Sequence, residues 1–245
     1  MSETSKNVAL VVGVGATNGL GAAIARRFAR EGYHVHVAGR SAEKLKPIVA
    51  ELEKAGGEAS YSSGDASQAH TAANFVSNAA AKGELSVVVY NAGQNLRESI
   101  FDVTAETFEA FWRSNTLGGF LVGKAAALVL RDKGRGSILF TGASGSLRGR
   151  SGFAAFAASK AGLRALSQSM ARELGPLGLH VAHVIVDGGI EGERFLSRFP
   201  EEAAKRGADG LLKTDELAQT YWMLHNQHRS AWTQEIDLRP WAEPF

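Results

Sequence analysis

The chain of 245 residues has no cysteine, which excludes disulfides and thiolate chemistry and is compatible with a reducing compartment. Proline is scarce at 5 residues against 28 glycines, a balance that suits tight turns between strands and helices more than disorder. Neither sign of charge dominates. Lys and Arg total 27 and Asp and Glu 25, a net charge of +2, so there is no electrostatic case for nucleic acid as a partner. No apolar run reaches the roughly 18 residues of a membrane span. The apolar start, Val8 to Val14, is too short and runs into a glycine-rich turn, so it reads as a first strand rather than a signal peptide. A soluble, cytoplasmic protein is expected, and nothing in the sequence points to a metal site.

What is present is ordinary globular composition, with 44% hydrophobic and 21% charged residues, enough for a full core. A continuous apolar run typical of a strand buried on both faces occurs at Val8 to Val12, and further strands are expected at His34 to Ala38, Ala59 to Ser62, Ser86 to Tyr90, Ser137 to Phe140, Leu179 to Val186 and Thr233 to Leu238. Helical stretches alternate with them: about Leu20 to Arg30, Lys44 to Lys54 with Ser41 as a cap, Ala69 to Ala81, Thr104 to Leu130, Gly152 to Leu174, and one starting at Thr214 as cap. Residues 1 to 7 are polar and expected to be loose, and residues 190 to 213 have no clean period. No linker or repeat divides the chain. The expectation is α/β: a single-domain Rossmann fold over residues 1–245, with a doubly wound, mostly parallel, seven-stranded sheet flanked by helices. Ligands in such sheets sit beyond the carboxyl ends of the strands.

Those ends carry the strongest chemical signals. Gly15, Gly19 and Gly21 give G-x-x-x-G-x-G between a strand and a helix start. Such a loop lets backbone approach a pyrophosphate, whose charge the helix N-terminus favours. Gly39-Arg40-Ser41 ends the second strand. An acid there would suit a ribose 2′-hydroxyl, whereas Arg40 suits a 2′-phosphate, so NADP(H) is expected over NAD(H). Farther along, Phe156 and Lys160 fall one turn apart on one helix face.

These motifs together resemble the short-chain dehydrogenase/reductase family, and the resemblance covers nearly the whole chain. Its glycine fingerprint fits Gly15 to Gly21, with Val14 where the family usually has Thr. Asn91-Ala92-Gly93 matches its N-N-A-G turn, with Tyr90 for the first Asn, and Ala158-Ser159-Lys160-Ala161 matches the helix of its catalytic Lys. The resemblance implies a cofactor held by Gly15, Thr17, Asn18, Gly19, Leu20, Gly21, Arg40, Asp65, Ala66, Asn91, Ala92, Gly93, Lys160, Gly188 and Ile190. It also implies a catalytic set of Asn115, Lys160 and a serine, and pairing into homodimers or homotetramers through the helices at 104–130 and 152–174. The small residues Ala154, Ala155, Ala158 and Ala161, taken as exposed, would permit close helix approach. The apolar tail from Pro240 to Phe245 would dock on a neighbour.

Three departures surround the implied reaction centre. Phe156 stands where the family has its proton-carrying Tyr. The usual serine position falls on Ala143, leaving Ser144 preferred, Ser146 three residues off, and Thr141 as the fallback. Asp187-Gly188-Gly189-Ile190 replaces a Pro-Gly turn, with Asp187 either a turn cap or a substitute acid–base group. Arg97, Arg148 and Arg150 fall near the substrate entrance and would suit an anionic substrate, such as a carboxylate or a phosphopantetheine thioester. The 190–213 stretch resembles the family's mobile lid, with Phe195 and Phe199 setting substrate size, while the aromatic residues 111, 112, 222 and 232 are core or interface. Three functions stay open: an NADP-dependent oxidoreductase with an altered proton path, a cofactor-binding sensor or pseudoenzyme, and a non-redox lyase or isomerase.

Overall fold

The computed structural model describes residues 6–243; Met1 to Ser5, expected to be loose, and Pro244 and Phe245 of the tail lie outside them. Seven parallel strands form one sheet: β1 (Asn7–Val12), β2 (His34–Gly39), β3 (Glu58–Ser63), β4 (Glu84–Tyr90), β5 (Gly136–Thr141), β6 (Leu179–Val186) and β9 (Glu235–Leu238). Their spatial order is β3-β2-β1-β4-β5-β6-β9. After β3 the chain crosses to the other side of β1 to lay down β4, and that reversal opens a crevice above the carboxyl ends of β1 and β4.

The helices are α1 (Leu20–Arg30), α2 (Ala42–Lys54), α3 (Ala69–Ala80), α4 (Ala105–Trp112), α5 (Gly118–Leu130), α6 (Ala154–Leu174), α7 (Glu193–Arg198), α8 (Pro200–Lys205) and α9 (Thr214–His225). Successive β1 side chains feed opposite cores, as the two-residue period of a strand requires. Ala9 and Val11 pack with Ile24, Phe28, Leu45 and Tyr221 on one face, while Val8, Leu10 and Val12 pack with Phe75, Val122 and Leu163 on the other. No helix among the described residues is long and apolar enough to cross a membrane.

The single-domain α/β reading holds, with local corrections. Residues 190–213 are not irregular: they form β7 (Ile190–Glu191), α7, α8 and β8 (Leu212–Lys213), and β7 pairs with β8 in a separate two-stranded sheet. Their helices are too short to build a sequence period. Ser41 precedes α2 without making a side-chain cap, and α9 starts at Thr214 itself, with Lys213 in the cap position. Ala155 is buried rather than exposed, packed with Phe111 and Phe156, whereas Ala158 and Ala161 remain open.

The long helix at 104–130 is not continuous α-helix. Arg113–Leu117 form a π turn, in which Gly118 N–H reaches back five residues to the Arg113 carbonyl. Such a wide turn spares backbone carbonyls from the usual ladder. The Tyr90 hydroxyl donates to the Ser114 carbonyl at 2.7 Å. The tyrosine fits because Gly118 has no side chain: a Cβ there would stand 2.2 Å from the Tyr90 hydroxyl oxygen. Tyr90, an oddity in the sequence, is thus the partner of the π turn.

Candidate active site

One cleft of about 1340 Å³ opens above the carboxyl ends of the central strands. Val12 to Ala16 and Gly19 to Gly21 form its floor, Arg40, Ser41 and Lys44 one end, and Thr141 to Ser144, Phe156 and Lys160 the other. Gly13 adopts a left-handed φ of 97°, and a Cβ there would lie 2.2 Å from the Ala92 nitrogen. The β1 and β4 loops can therefore meet only through glycine. Asn91 fixes that meeting, donating from Nδ2 to the Gly13 carbonyl at 3.1 Å.

Most of the implied cofactor residues converge here: Gly15, Gly19, Leu20, Gly21, Arg40, Asp65, Ala66, Asn91, Ala92, Gly93, Gly188 and Ile190 all line the cleft. Thr17 and Asn18 do not, and both are exposed. The Thr17 carbonyl accepts from Arg26, while Asn18 Oδ1 accepts from the Glu193 N–H. Asp65 turns one oxygen to its own loop, accepting from Ser67 N–H at 2.9 Å.

At the other end, α6 presents Phe156 and Lys160. Phe156 is 8% exposed and packs with Phe111, Ala155 and Phe153. Its ring edge also fills the space beside Gly145, where a Cβ would approach it to 2.9 Å. Lys160 is 5% exposed, and its ammonium donates to the Thr141 carbonyl at 2.8 Å. Burial, with a smaller contribution from the charge of Arg194, lowers its pKa to about 8. A buried amine disfavours its charged form.

Asn115 joins Lys160 through Gly93. A Cβ on Gly93 would lie 2.5 Å from Asn115 Oδ1 and 3.3 Å from Lys160 Nζ. Asn115 sits within the π turn and donates from Nδ2 to the Phe111 carbonyl. Its Oδ1 is buried without a hydrogen-bond partner, a free acceptor beside the buried ammonium of the cleft wall. The π turn aims this side chain inward.

The serine alternatives separate cleanly. Ser144 lines the cleft. Ser146 is buried, accepting from Ala143 N–H at 3.2 Å and meeting His183 Nε2 at 3.3 Å. The Thr141 hydroxyl is taken up by the Tyr221 hydroxyl at 2.7 Å. Ser144 is the hydroxyl available to a ligand.

Asp187 lines the cleft, and its carboxylate is held in ion pairs rather than capping a turn. Its carboxylate accepts from Arg148 at 2.8 Å and lies 3.7 Å from Arg239, with a side chain 2% exposed. Arg148 is thereby removed from the substrate entrance, where it was expected, and is absent from the cleft wall. Arg97 and Arg150 do line it. So do residues that the sequence did not single out: Arg194 and Arg198 on α7, Arg206 after α8, and Glu243 in the tail. The 190–213 stretch had no readable period, so its helix faces could not be assigned. Phe195 and Phe199, expected to set substrate size, pack against each other at a centroid distance of 5.5 Å on the same wall. The tail turns back on its own chain: Glu243 accepts from Arg206 at 2.5 Å, closing α8 over the cleft.

A family model described as short chain dehydrogenase matches residues 7–203. The chain belongs to this family. A short-chain dehydrogenase/reductase of Armillaria gallica is 37% identical over 184 residues, covering 74% of this chain and 70% of that protein. A crystal structure of a short-chain dehydrogenase from Rhodopseudomonas palustris superposes with a TM-score of 0.83 at 39% identity, covering 96% of this chain and 99% of the other. A single-substitution variant of the actinorhodin polyketide ketoreductase, crystallised with NADPH, gives a TM-score of 0.85 at 26% identity over 96% of both chains. This short-chain dehydrogenase is therefore an oxidoreductase of the class acting between alcohols and carbonyls.

Proposed function

We propose that this short-chain dehydrogenase is an NADP(H)-dependent oxidoreductase in which Lys160, through Ser144, carries the proton that a tyrosine would otherwise carry. The observation behind this reading is the buried ammonium of Lys160, at the cleft wall with a pKa near 8.

The residues of the cleft fit a dinucleotide. The glycine floor leaves backbone open to a diphosphate, and Arg40 stands at the cleft end with no carboxylate partner among the described residues. Its fork geometry and fixed charge match a 2′-phosphate. The ketoreductase that shares the fold was crystallised with NADPH, in line with this choice. Ile190 supplies an apolar contact at the opposite end. The nicotinamide, when bound, exchanges a hydride with the substrate carbon. Ser144 hydrogen-bonds the substrate oxygen. Lys160 in its ammonium form releases a proton toward that oxygen during reduction and regains one from solvent; in oxidation the neutral amine takes it up. The Thr141 carbonyl holds the ammonium in place, with the unpartnered Asn115 Oδ1 nearby. Phe156 and Phe153 keep water from the carbonyl face.

Arg97 and Arg150, on the wall beyond Phe153, favour a substrate with an anionic group away from its carbonyl. The exposed Phe108, Trp112 and Phe120 along α4 and α5 favour pairing between copies through that helix. The alternatives of a cofactor sensor and of a lyase or isomerase have no observation of their own in their favour.

The test is NADPH oxidation against a panel of carbonyls by wild type, Lys160→Met and Phe156→Tyr. Turnover in wild type that disappears in Lys160→Met supports the reading. Tight NADPH binding with no turnover in wild type, and turnover gained in Phe156→Tyr, overturns it. Tighter binding of NADH than NADPH overturns the cofactor choice alone.

A further inference from the structure

Five arginines on the cleft wall, Arg40, Arg97, Arg150, Arg194 and Arg198, have no carboxylate within salt-bridge distance among the described residues. Those of the scaffold are commonly paired, as in Arg164 with Glu235 and Arg148 with Asp187. Unpaired guanidiniums facing one cavity repel each other unless an anion is shared between them.

Arg194 has the most informative position. It lies in the first turn of α7, and that turn rests on the glycine loop. The Glu193 N–H donates to Asn18 Oδ1 at 3.1 Å, and a Cβ on Gly192 would stand 3.0 Å from the Asn18 carbonyl oxygen. The lid thus crosses the cleft where the floor is bare backbone. The charge of Arg40 is felt at Arg194 on one side, and that of Arg194 at Lys160 on the other. In a dinucleotide stretched between those two ends, the diphosphate is the only anionic group in the middle. Arg194 is open to solvent, yet the surrounding protein and the neighbouring charges of Arg40 and Arg198 hold its pKa below the usual arginine value. On the same helix, Arg198 donates to the Asn95 carbonyl at 3.3 Å, so α7 touches the loops on both sides of the cleft.

We propose that Arg194 is a ligand for the diphosphate of the dinucleotide, carried to it by the lid helix α7, so that the lid seats fully only over bound cofactor. This rests on reading the cleft as a dinucleotide site. It assigns to Asn18 the task of docking the lid rather than touching cofactor. It also gives the like-charged pair Arg40 and Arg194 separate anions, the 2′-phosphate and the diphosphate.

Calorimetric titration of the full chain with two fragments separates these roles. ADP-ribose carries the diphosphate without a 2′-phosphate, and adenosine 2′-monophosphate carries the reverse. Arg194→Gln is expected to weaken ADP-ribose about ten- to a hundredfold and to leave adenosine 2′-monophosphate within about threefold. Arg40→Gln is expected to do the opposite. Hydrogen exchange over residues 190–206 should slow when NADPH binds wild type and not when it binds Arg194→Gln. Unchanged ADP-ribose affinity in Arg194→Gln overturns the proposal while leaving the dinucleotide reading intact. Wild type that binds neither fragment nor NADPH overturns that reading and the proposal with it.

Discussion

Phe156 and Lys160 lie one turn apart on α6, and their surroundings are opposite in kind. Phe156 sits among Phe111, Ala155 and Phe153, an apolar cluster at the cleft wall. Lys160 is buried to a similar degree but rests on the Thr141 carbonyl, next to the unpartnered oxygen of Asn115. The first site is satisfied as it stands. The second carries a buried ammonium whose pKa is lowered to about 8. A ring that merely replaced a lost phenol would leave a polar socket behind, with an unpaired group aimed at it. Phe156 instead packs as part of an apolar cluster of this cleft, and under the proposed function the proton path lies one turn along the helix, at Lys160.

The largest effect that would break this contrast is on Lys160. Lys160→Met should lower kcat by about a hundredfold to ten-thousandfold, the range for loss of a general acid, read by steady-state kinetics. The pH profile sharpens the same point. The folded pKa near 8 lies below the ordinary value of 10.5, so reduction, which needs the ammonium, should decline as pH rises through about 8, and oxidation should rise there. A reduction rate flat from neutral pH to well above that point would remove Lys160 from the proton path.

A smaller effect separates the two serines. Ser144→Ala should cost about tenfold or more in kcat/KM with little change in stability, because Ser144 lines the cleft and is only half-buried. Ser146→Ala should act the other way round. It loses buried bonds to Ala143 and His183, worth about 1 kcal/mol in denaturant unfolding, and keeps most of its turnover. Equal kinetic losses in both variants would show that the turn at Ser144 to Ser146 works as a unit. Smallest in kinetics, though not in stability, is Asp187→Asn. Removing a buried carboxylate from between Arg148 and Arg239 should destabilise by about 3 kcal/mol while kcat stays within a few-fold. A collapse of kcat in a variant that remains folded would restore Asp187 to the chemistry.

Much of this molecule was legible in the sequence because strands buried on both faces leave unbroken apolar runs, and β1, β4, β5 and β6 could be read from them directly. The cofactor end was legible for a related reason: backbone that must approach backbone or phosphate is written in glycine, as at Gly13 and Gly21. The substrate end was not. Asp187 could be placed at a strand end, but its partners, Arg148 and Arg239, come from segments 39 and 52 residues away, and no local pattern announces such a pairing. The lid failed for the opposite reason. Six residues in α7 and six in α8 are fewer than two turns each, too short for a period to emerge. The choice among Ser144, Ser146 and Thr141 needed the directions of three hydroxyls, which sequence spacing does not carry.

The π turn at Arg113–Leu117 makes the helix through 105–130 a two-phase object. Its halves are offset by one inserted residue, equivalent to a rotation of about 100°. The first half is keyed to Phe156 by Phe111, and the second to Tyr90 and Leu163 by Gly118 and Gly119. Deleting one residue between 113 and 117 would heal the hydrogen-bond ladder and put one half out of phase with its partner. The helix is therefore a coupling between two fixed gears, and length, more than composition, is what this segment cannot change.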